Sequence, residues 1–291
     1  MRYTKHWTSY TLLDCAGGQR LERWGEVVLI RPDPQVIWQG RSSPLWQTAH
    51  ARYERSSSGG GQWVFMRDMP EQWQISYREL KFHVKPMGFK HTGLFPEQAV
   101  NWDLLGDAIR NSEFGIRNET RVLNLFAYTG GATLACLAAG AHVTHVDAAK
   151  GMVQRARENA QLSGLADRPV RWIVDDCVKF CQREIRREKR YDVILLDPPS
   201  YGRGPGGEVW QLSEELDDFL SLCADLLEPD GMLLLNAYSA ELSPGVMEHL
   251  LARKFLPRFG GTVSCEEIGL PVESTGLVLP CGSTAIWRGG C

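Results

Sequence analysis

Residues 121–147 read RVLNLFAYTGGATLACLAAGAHVTHVD, and their order of textures decides the fold. Residues 122–126 are a short, mostly apolar run of the kind that fills a buried parallel strand. Tyr128-Thr129-Gly130-Gly131 follows as a turn, where missing β-carbons let a ligand come close to the backbone. Residues 132–139, rich in Ala and Leu, suit a helix, and Gly140 is its stop. Residues 142–146 then predict a second strand that closes on Asp147. A glycine turn at the head of a helix, with an acid ending the next strand, is the nucleoside-site layout of doubly wound α/β folds. The acid takes the two ribose hydroxyls and the turn cradles the rest.

Two absences narrow the nucleoside. The turn is not G-x-G-x-x-G, so it is not built for a dinucleotide pyrophosphate. It also lacks the G-x-x-x-x-G-K-[ST] loop that holds a triphosphate. A ribose-binding acid without a phosphate cradle suits a nucleoside with an uncharged or zwitterionic tail, and S-adenosylmethionine answers that description.

Outward from this stretch, residues 150–162 predict a helix with a solvated charged face, and 171–174 a third strand leading to Asp175-Asp176-Cys177. An acid there is placed to accept from an adenine amino group, or else to cap the helix expected at 178–185. Asp176 is assigned to the adenine. The run REIRREKR (183–190) is basic but punctuated by acids, which favours a solvated face over a nucleic-acid patch. Residues 191–196 (YDVILL) form the next buried strand and end in Asp197-Pro198-Pro199-Ser200-Tyr201. Two prolines stop the strand and stiffen the chain at its carboxyl end, where open α/β sheets bind ligands. A planar target stacked on Tyr201 would offer its amino group to Asp197 and the Pro198 carbonyl. The glycine-rich segment 202–207 predicts a mobile closing loop. Helices at 215–227 and 244–251 and strands at 232–236, 262–267 and 283–287 complete the pattern. The expectation is a Rossmann-like, seven-stranded mixed α/β sheet with helices on both faces and a final antiparallel hairpin.

Residues 1–92 have a different texture and predict a small β-rich N-terminal domain, leaving 93–291 for the α/β domain. Strands are expected at 27–30, 62–66, 73–77 and 80–84, extended chain at 36–38, a turn at 31–34 and a flexible tip at 55–61. The domain carries Trp7, Trp24, Trp38, Trp46, Trp63 and Trp73, which can stack on bases but in a small β domain more often fill the core. Residues 91–98 lead into a helix at 101–110, with a bend at Thr92-Gly93.

Composition sets the outer limits. The chain has 291 residues, 43% of them hydrophobic, enough for a full core and two domains. Its formal net charge is -3, so no global field draws it to polyanions. Eight cysteines without C-x-x-C pairs indicate neither a zinc site nor a disulfide framework, and reduced thiols in a cytoplasmic protein are expected. No run approaches the ~18 apolar residues of a membrane span. Neither a metal nor a membrane is expected as a partner, and both monomer and homodimer remain open.

The motifs VLNLFAYTGGATL (122–134), VDAAK (146–150), VDDCVKF (174–180) and LDPPSY (196–201) resemble those of the class I S-adenosylmethionine-dependent methyltransferases. Together with HTGLFPEQ (91–98) they are similar to the bacterial ribosomal large-subunit RNA methyltransferase I-like family, over residues 82–239. The RNA-binding PUA module of some members is not evident. The resemblance implies that Asn124 binds the cofactor and that Phe126, Tyr128, Thr129 and Gly130 surround its methionine end. It implies Asp147 and Ala148 at the ribose, Asp176 and Cys177 at the adenine, and Phe95 and Gln98 at the cofactor's entrance. Asp197, Pro198, Pro199 and Tyr201 would hold the acceptor, and S-adenosylhomocysteine would be the product. Members that make 5-methylcytosine attack the ring with a cysteine on the catalytic loops. Here Ser200 follows the prolines and Ala237-Tyr238-Ser239 ends the later strand, so direct attack by a base nitrogen is expected. RNA, ribosomal RNA in particular, is the expected substrate; a small molecule or a protein is the alternative.

Overall fold

The structure, a computed structural model, describes residues 1–56, 60–88, 90–111, 119–239 and 241–290. Contacts divide the chain into two units, Tyr3–Ala99 with Gly269–Pro280, and Met1–Arg2 with Val100–Ile268 and Cys281–Cys291. The division falls at 99/100, where the sequence pattern placed it at 92/93, and it gives 269–280 to the first unit. Local texture changes at residue 92, but the chain from 93 to 99 keeps its bonds to the β-rich part: the Trp7 indole donates to the Pro96 carbonyl at 3.0 Å.

In the first unit, β1 (Tyr10–Ala16), β2 (Gln19–Trp24), β3 (Val27–Pro32), β4 (Ala51–Arg55) and β5 (Gly61–Phe65) form one sheet in chain order. β3 and β4 run parallel and the other neighbours antiparallel. β6 (Trp73–Tyr77) and β7 (Leu80–Val84) pair as their alternation predicted. β1 and β2 carry no simple alternation, because charged side chains lie in the interior. Asp14 is buried and accepts from Ser42 N, Ser43 N and the Trp46 indole, while Ser274 donates to its other oxygen. The turn expected at 31–34 begins later: Arg31 belongs to β3, where it makes a two-pronged bond to buried Glu22 of β2 at 2.5 and 2.7 Å. No strand forms at 36–38. Of the tip at 55–61, residues 57–59 lie outside the described residues. The indoles of Trp38, Trp63 and Trp73 donate to main-chain carbonyls of this unit, and Trp24 and Trp46 are buried, so these rings mainly brace it.

The second unit is the α/β body. Its helices are α1 (Ala99–Arg110), α2 (Gly131–Ala138), α3 (Lys150–Leu162), α4 (Cys177–Arg186), α5 (Leu212–Leu226) and α6 (Pro244–Phe259). Its strands are β8 (Arg121–Leu125), β9 (His142–Asp147), β10 (Val170–Val174), β11 (Tyr191–Leu196), β14 (Leu227–Ala237), β15 (Thr262–Pro271) and β16 (Val278–Arg288), with the short pair β12 (Tyr201–Arg203) and β13 (Val209–Gln211) standing apart. The seven-stranded sheet runs β10-β9-β8-β11-β14-β16-β15. Its first five strands are parallel and β16 is antiparallel to β14. Right-handed crossovers place α2 and α3 on one face and α4 to α6 on the other. Leu123, Leu125, Ile194, Leu196, Leu233, Leu235 and Trp287 pack with Phe180, Phe219, Leu220, Leu251 and Phe255 on the α4–α6 face. Each such side chain contributes about 1.5–3 kcal/mol by leaving water. Strand order reverses between β8 and β11, which stay paired to their last residues, Leu125 and Leu196, so the connections that leave their carboxyl ends run in opposite directions, where open α/β sheets bind ligands. No described helix is long and apolar enough to cross a membrane.

Candidate active site

The turn after β8 is held under strain. Phe126 and Tyr128 have φ of 55° and 49°, a left-handed conformation that costs a residue with a β-carbon of order 1–3 kcal/mol. Side chains from the next strand ends hold both: Phe126 N donates to Cys177 Sγ at 3.4 Å and Tyr128 N to Asp147 Oδ2 at 2.8 Å. Gly130 then caps α2 with φ 88°. A β-carbon there would sit 2.9 Å from Ala156 Cβ, and one on Gly131 2.4 Å from the Trp102 ring. The two glycines therefore let α3 and α1 close on the turn, a packing role beside the ligand approach that the sequence pattern assigns to them. The Thr129 carbonyl accepts from buried Asn159 of α3 at 3.0 Å.

Asp147 ends β9 half-buried, with Ala148 beside it. Its second oxygen accepts from Ala149 N at 2.8 Å. Burial pushes its carboxyl above the usual range, against the pull of the two backbone N–H groups. Each oxygen keeps lone pairs beyond the bond it already accepts, so two vicinal hydroxyls find acceptors here. Asp175 N donates to the Asp147 carbonyl at 3.1 Å, which fixes the β10 end against the β9 end. Of the two acids there, Asp176 is the helix cap, accepting from Lys179 N at 2.9 Å, and Asp175 pairs with Arg183. Cys177 is buried and its thiol is pushed well above its ordinary pKa by burial, so it acts as a neutral acceptor for the turn. Asn124 points the other way: its amide donates to Thr133 Oγ1 at 2.9 Å, which in turn bonds His145 Nδ1 at 2.9 Å. Its side chain braces α2 between β8 and β9.

Asp197 is half-buried at the carboxyl end of β11, Pro198 is buried, and Tyr201 is 53% exposed. The segment after them is not the open loop that its glycines predicted. Tyr201 pairs with Gln211, Gly202 with Trp210 and Arg203 with Val209 in a β-hairpin. Glu208 locks its tip, accepting from Gly206 N at 2.8 Å and pairing with Lys179 of α4. Trp210 is 5% exposed and donates its indole N–H to the Pro199 carbonyl at 2.8 Å. Its ring lies 4.9 Å from Phe126 and 5.4 Å from Phe219. The two motifs are thus joined through one side chain, from the β8 turn through Trp210 to the proline pair.

A family model for S-adenosylmethionine-dependent methyltransferases matches residues 34–257. The crystal structure of the SAM-dependent methyltransferase from Agrobacterium tumefaciens is 38% identical, with a TM-score of 0.91, over 98% of this chain and 92% of that one. The chain belongs to this family. A Streptococcus mutans chain, 20% identical with a TM-score of 0.71 over 98% of this chain and 76% of that one, shares the fold. Among curated relatives, the ribosomal RNA large subunit methyltransferase K/L of Shewanella frigidimarina is 30% identical over 54% of this chain and 21% of its own length. The ribosomal RNA large subunit methyltransferase I of Aeromonas salmonicida is 34% identical over 47% of this chain and 33% of its own. The chain therefore matches only about a fifth to a third of these curated relatives' length.

For a methyltransferase of this family, S-adenosylmethionine is the cofactor, and the acceptor lone pairs of Asp147 fit its ribose. Phe95 and Gln98 belong to the other unit, where the Phe95 ring packs on His91 at 5.5 Å and Gln98 is buried in a 3-10 turn, Pro96–Gln98. Three residues of this methyltransferase's α/β unit escaped the sequence pattern. Trp210 follows a glycine-rich run without any motif of its own. Asn236, at the end of β14, accepts from Asn101 at 3.0 Å and from Thr284 at 2.6 Å, and only the fold brings these three together. Cys281 is the third. Because β16 runs antiparallel to β14, with Ser283 opposite Ala237, its first residues lie at the carboxyl end of the sheet. A thiol thus stands at that edge, 2% exposed, although none stands at 198–201 or 237–239.

Proposed function

We propose that this protein transfers a methyl group from S-adenosylmethionine to a nitrogen of an RNA base, ribosomal RNA in particular, in the cytoplasm. The observation that carries the reading is the Asp197–Tyr201 tip, with an exposed aromatic ring beside a half-buried carboxylate at the mouth of the cofactor sheet. That pairing suits a flat, amino-bearing acceptor taken out of its stack. Asp147, with Ala148 beside it, would hold the ribose and the strained 126–130 backbone the methionine end, with Asp176 and Cys177 around the adenine. When bound, the cofactor supplies an already activated methyl. The protein's share is then position: Asp197 and the Pro198 carbonyl aim the amino lone pair, and Tyr201 stacks the base. An amine loses its proton to water after transfer, so Asp197 need not act as a base. Names of relatives that methylate large-subunit ribosomal RNA support RNA as the substrate class.

A second reading starts from Cys281, 2% exposed near the carboxyl end of the sheet: its sulfur would add to C6 of a pyrimidine, C5 would take the methyl, and loss of the C5 proton to water would expel the sulfur again. Labelled S-adenosylmethionine incubated with large-subunit RNA, small-subunit RNA and lysate, all from cells lacking the gene, tests both. Nuclease-sensitive label in one RNA is expected, with the methyl on a base nitrogen after nucleoside analysis. Label on ring carbon, lost in Cys281→Ala, would replace the nitrogen reading with the second. Label in protein or small molecules alone would move the substrate class. Asp197→Ala is expected to keep S-adenosylhomocysteine binding and lose transfer; wild-type turnover in that variant would remove Asp197 from the mechanism.

A further inference from the structure

We infer that the outer face of the β12–β13 hairpin, where Arg203 and Val209 continue from the Tyr201 ring, is a contact surface for the RNA strand flanking the acceptor base. The inference rests on the RNA reading above. In a two-stranded ribbon successive side chains alternate between faces. The pairs Tyr201–Gln211 and Arg203–Val209 therefore share one face, and Gly202–Trp210 the other. The inner face is closed. Trp210 is buried against Phe126 and Phe219, and a β-carbon on Gly202 would stand 3.3 Å from the Pro199 ring. The outer face presents Tyr201 at 53% and Val209 at 44% exposure, with the exposed Arg203 between them in space.

Charge decides what this face takes. The hairpin holds one cation, Arg203, and one anion, Glu208. Glu208 is engaged by Lys179, whose positive charge offsets it, so Arg203 keeps its own. No ion pair to Arg203 is found among the described residues. At the other end of the face, Gln211 is bonded to Glu214 in the acidic first turn of α5. A polyanion is favoured at the Arg203 end and repelled from the Gln211 end, which draws a bound strand toward Arg203. An aromatic ring, an aliphatic side chain and a guanidinium side by side provide a base-stacking surface and a phosphate contact, the pair of features that single-stranded nucleic acid requires. With a chain net charge of -3, such a contact has to be local, because no global field supplies it.

The test measures methyl transfer to large-subunit ribosomal RNA transcribed in vitro, for the wild type, Arg203→Ala, Arg203→Lys and Arg253→Ala. Arg253 is an exposed arginine of α6 and controls for net charge. Arg203→Ala is expected to raise KM for RNA about tenfold, the weight of one charged hydrogen bond. The slope of log affinity against log salt should also fall by about 0.7, the share of one phosphate on a single strand. Arg203→Lys should restore the slope, Arg253→Ala should match the wild type, and calorimetry should give the same S-adenosylhomocysteine affinity throughout. If the wild type labels this RNA and Arg203→Ala keeps its KM and salt slope, the surface is refuted and the RNA reading stands. If the wild type labels no RNA but labels a protein or small molecule in lysate, the RNA reading fails and the surface falls with it.

Discussion

Trp210 shows how much of this site depends on single side chains that no motif announces. Its indole N–H satisfies the Pro199 carbonyl while its ring supports Phe126, whose backbone is held at positive φ. Trp210→Phe keeps a ring in the packing but leaves that carbonyl without its donor, a loss of about 1 kcal/mol. The expected result is about a fivefold lower kcat with an unchanged affinity for S-adenosylhomocysteine. A drop in melting temperature with kcat intact would instead mean that the residue serves stability alone. At the same scale, Asp147 was legible in the sequence because it ends a strand after a glycine turn. Its hold on Tyr128 N and Ala149 N was not, since main-chain bonds to a side chain leave no spacing signature.

Among the elements, α4 carries the most. It begins at the carboxyl end of β10, takes its cap from Asp176, lends Cys177 to the β8 turn and Lys179 to the hairpin, and ends in the basic run. That run is not simply solvated. Glu184 is fully buried: burial works against its charge, yet bonds from Arg171, Tyr191 and Arg187 hold its carboxyl below the usual range. Asp176→Ala removes the cap and should cost about 1 kcal/mol of stability. Asp176→Asn can still cap, so it should melt close to the wild type. If the adenine assignment holds, both variants bind cofactor more weakly, because the Asn side chain offers a donor where the carboxylate offered only acceptors. Equal cofactor affinity in Asp176→Asn would leave the residue as a cap and nothing more.

Over the whole molecule, two histidines, His145 buried and His91 half-buried, set an acid limit. Burial pulls His145, with Arg157 adding to the effect, down to about 3, and burial with Arg31 and Lys90 pulls His91 to about 4. Both are neutral in the folded chain at pH values where an unfolded histidine, titrating near 6.5, takes a proton. The unfolded state then binds more protons, so stability is lost as pH falls below 6.5 and is indifferent to these two groups above it. Each accounts for up to about 1.4 kcal/mol per pH unit within its window. Denaturant titrations at pH 7, 6 and 5 should show this slope. His91→Gln should remove one proton's share of it in the Tyr3–Ala99 unit, and His145→Gln one share in the α/β unit. Slopes identical to the wild type in both variants would place the acid sensitivity elsewhere.

The sequence alone determined the parallel core of the α/β unit and the strand ends that carry its candidate site. Buried strands, helix stops and strand-ending acids are local: apolar runs, a glycine turn and a proline pair fix them within a few residues. The β6–β7 hairpin was legible for the same reason. The tertiary structure decided what depends on partners distant in the chain. It put Asp14 and Glu22 inside a sheet whose alternation they disrupt, turned the glycine-rich 202–207 segment into a pinned hairpin, and gave Gly130 and Gly131 to helix packing. It also brought Cys281 to the carboxyl end of the main sheet. Each of these follows from a bond or close contact made after the chain has folded back on itself, and such pairings leave no periodicity along the chain.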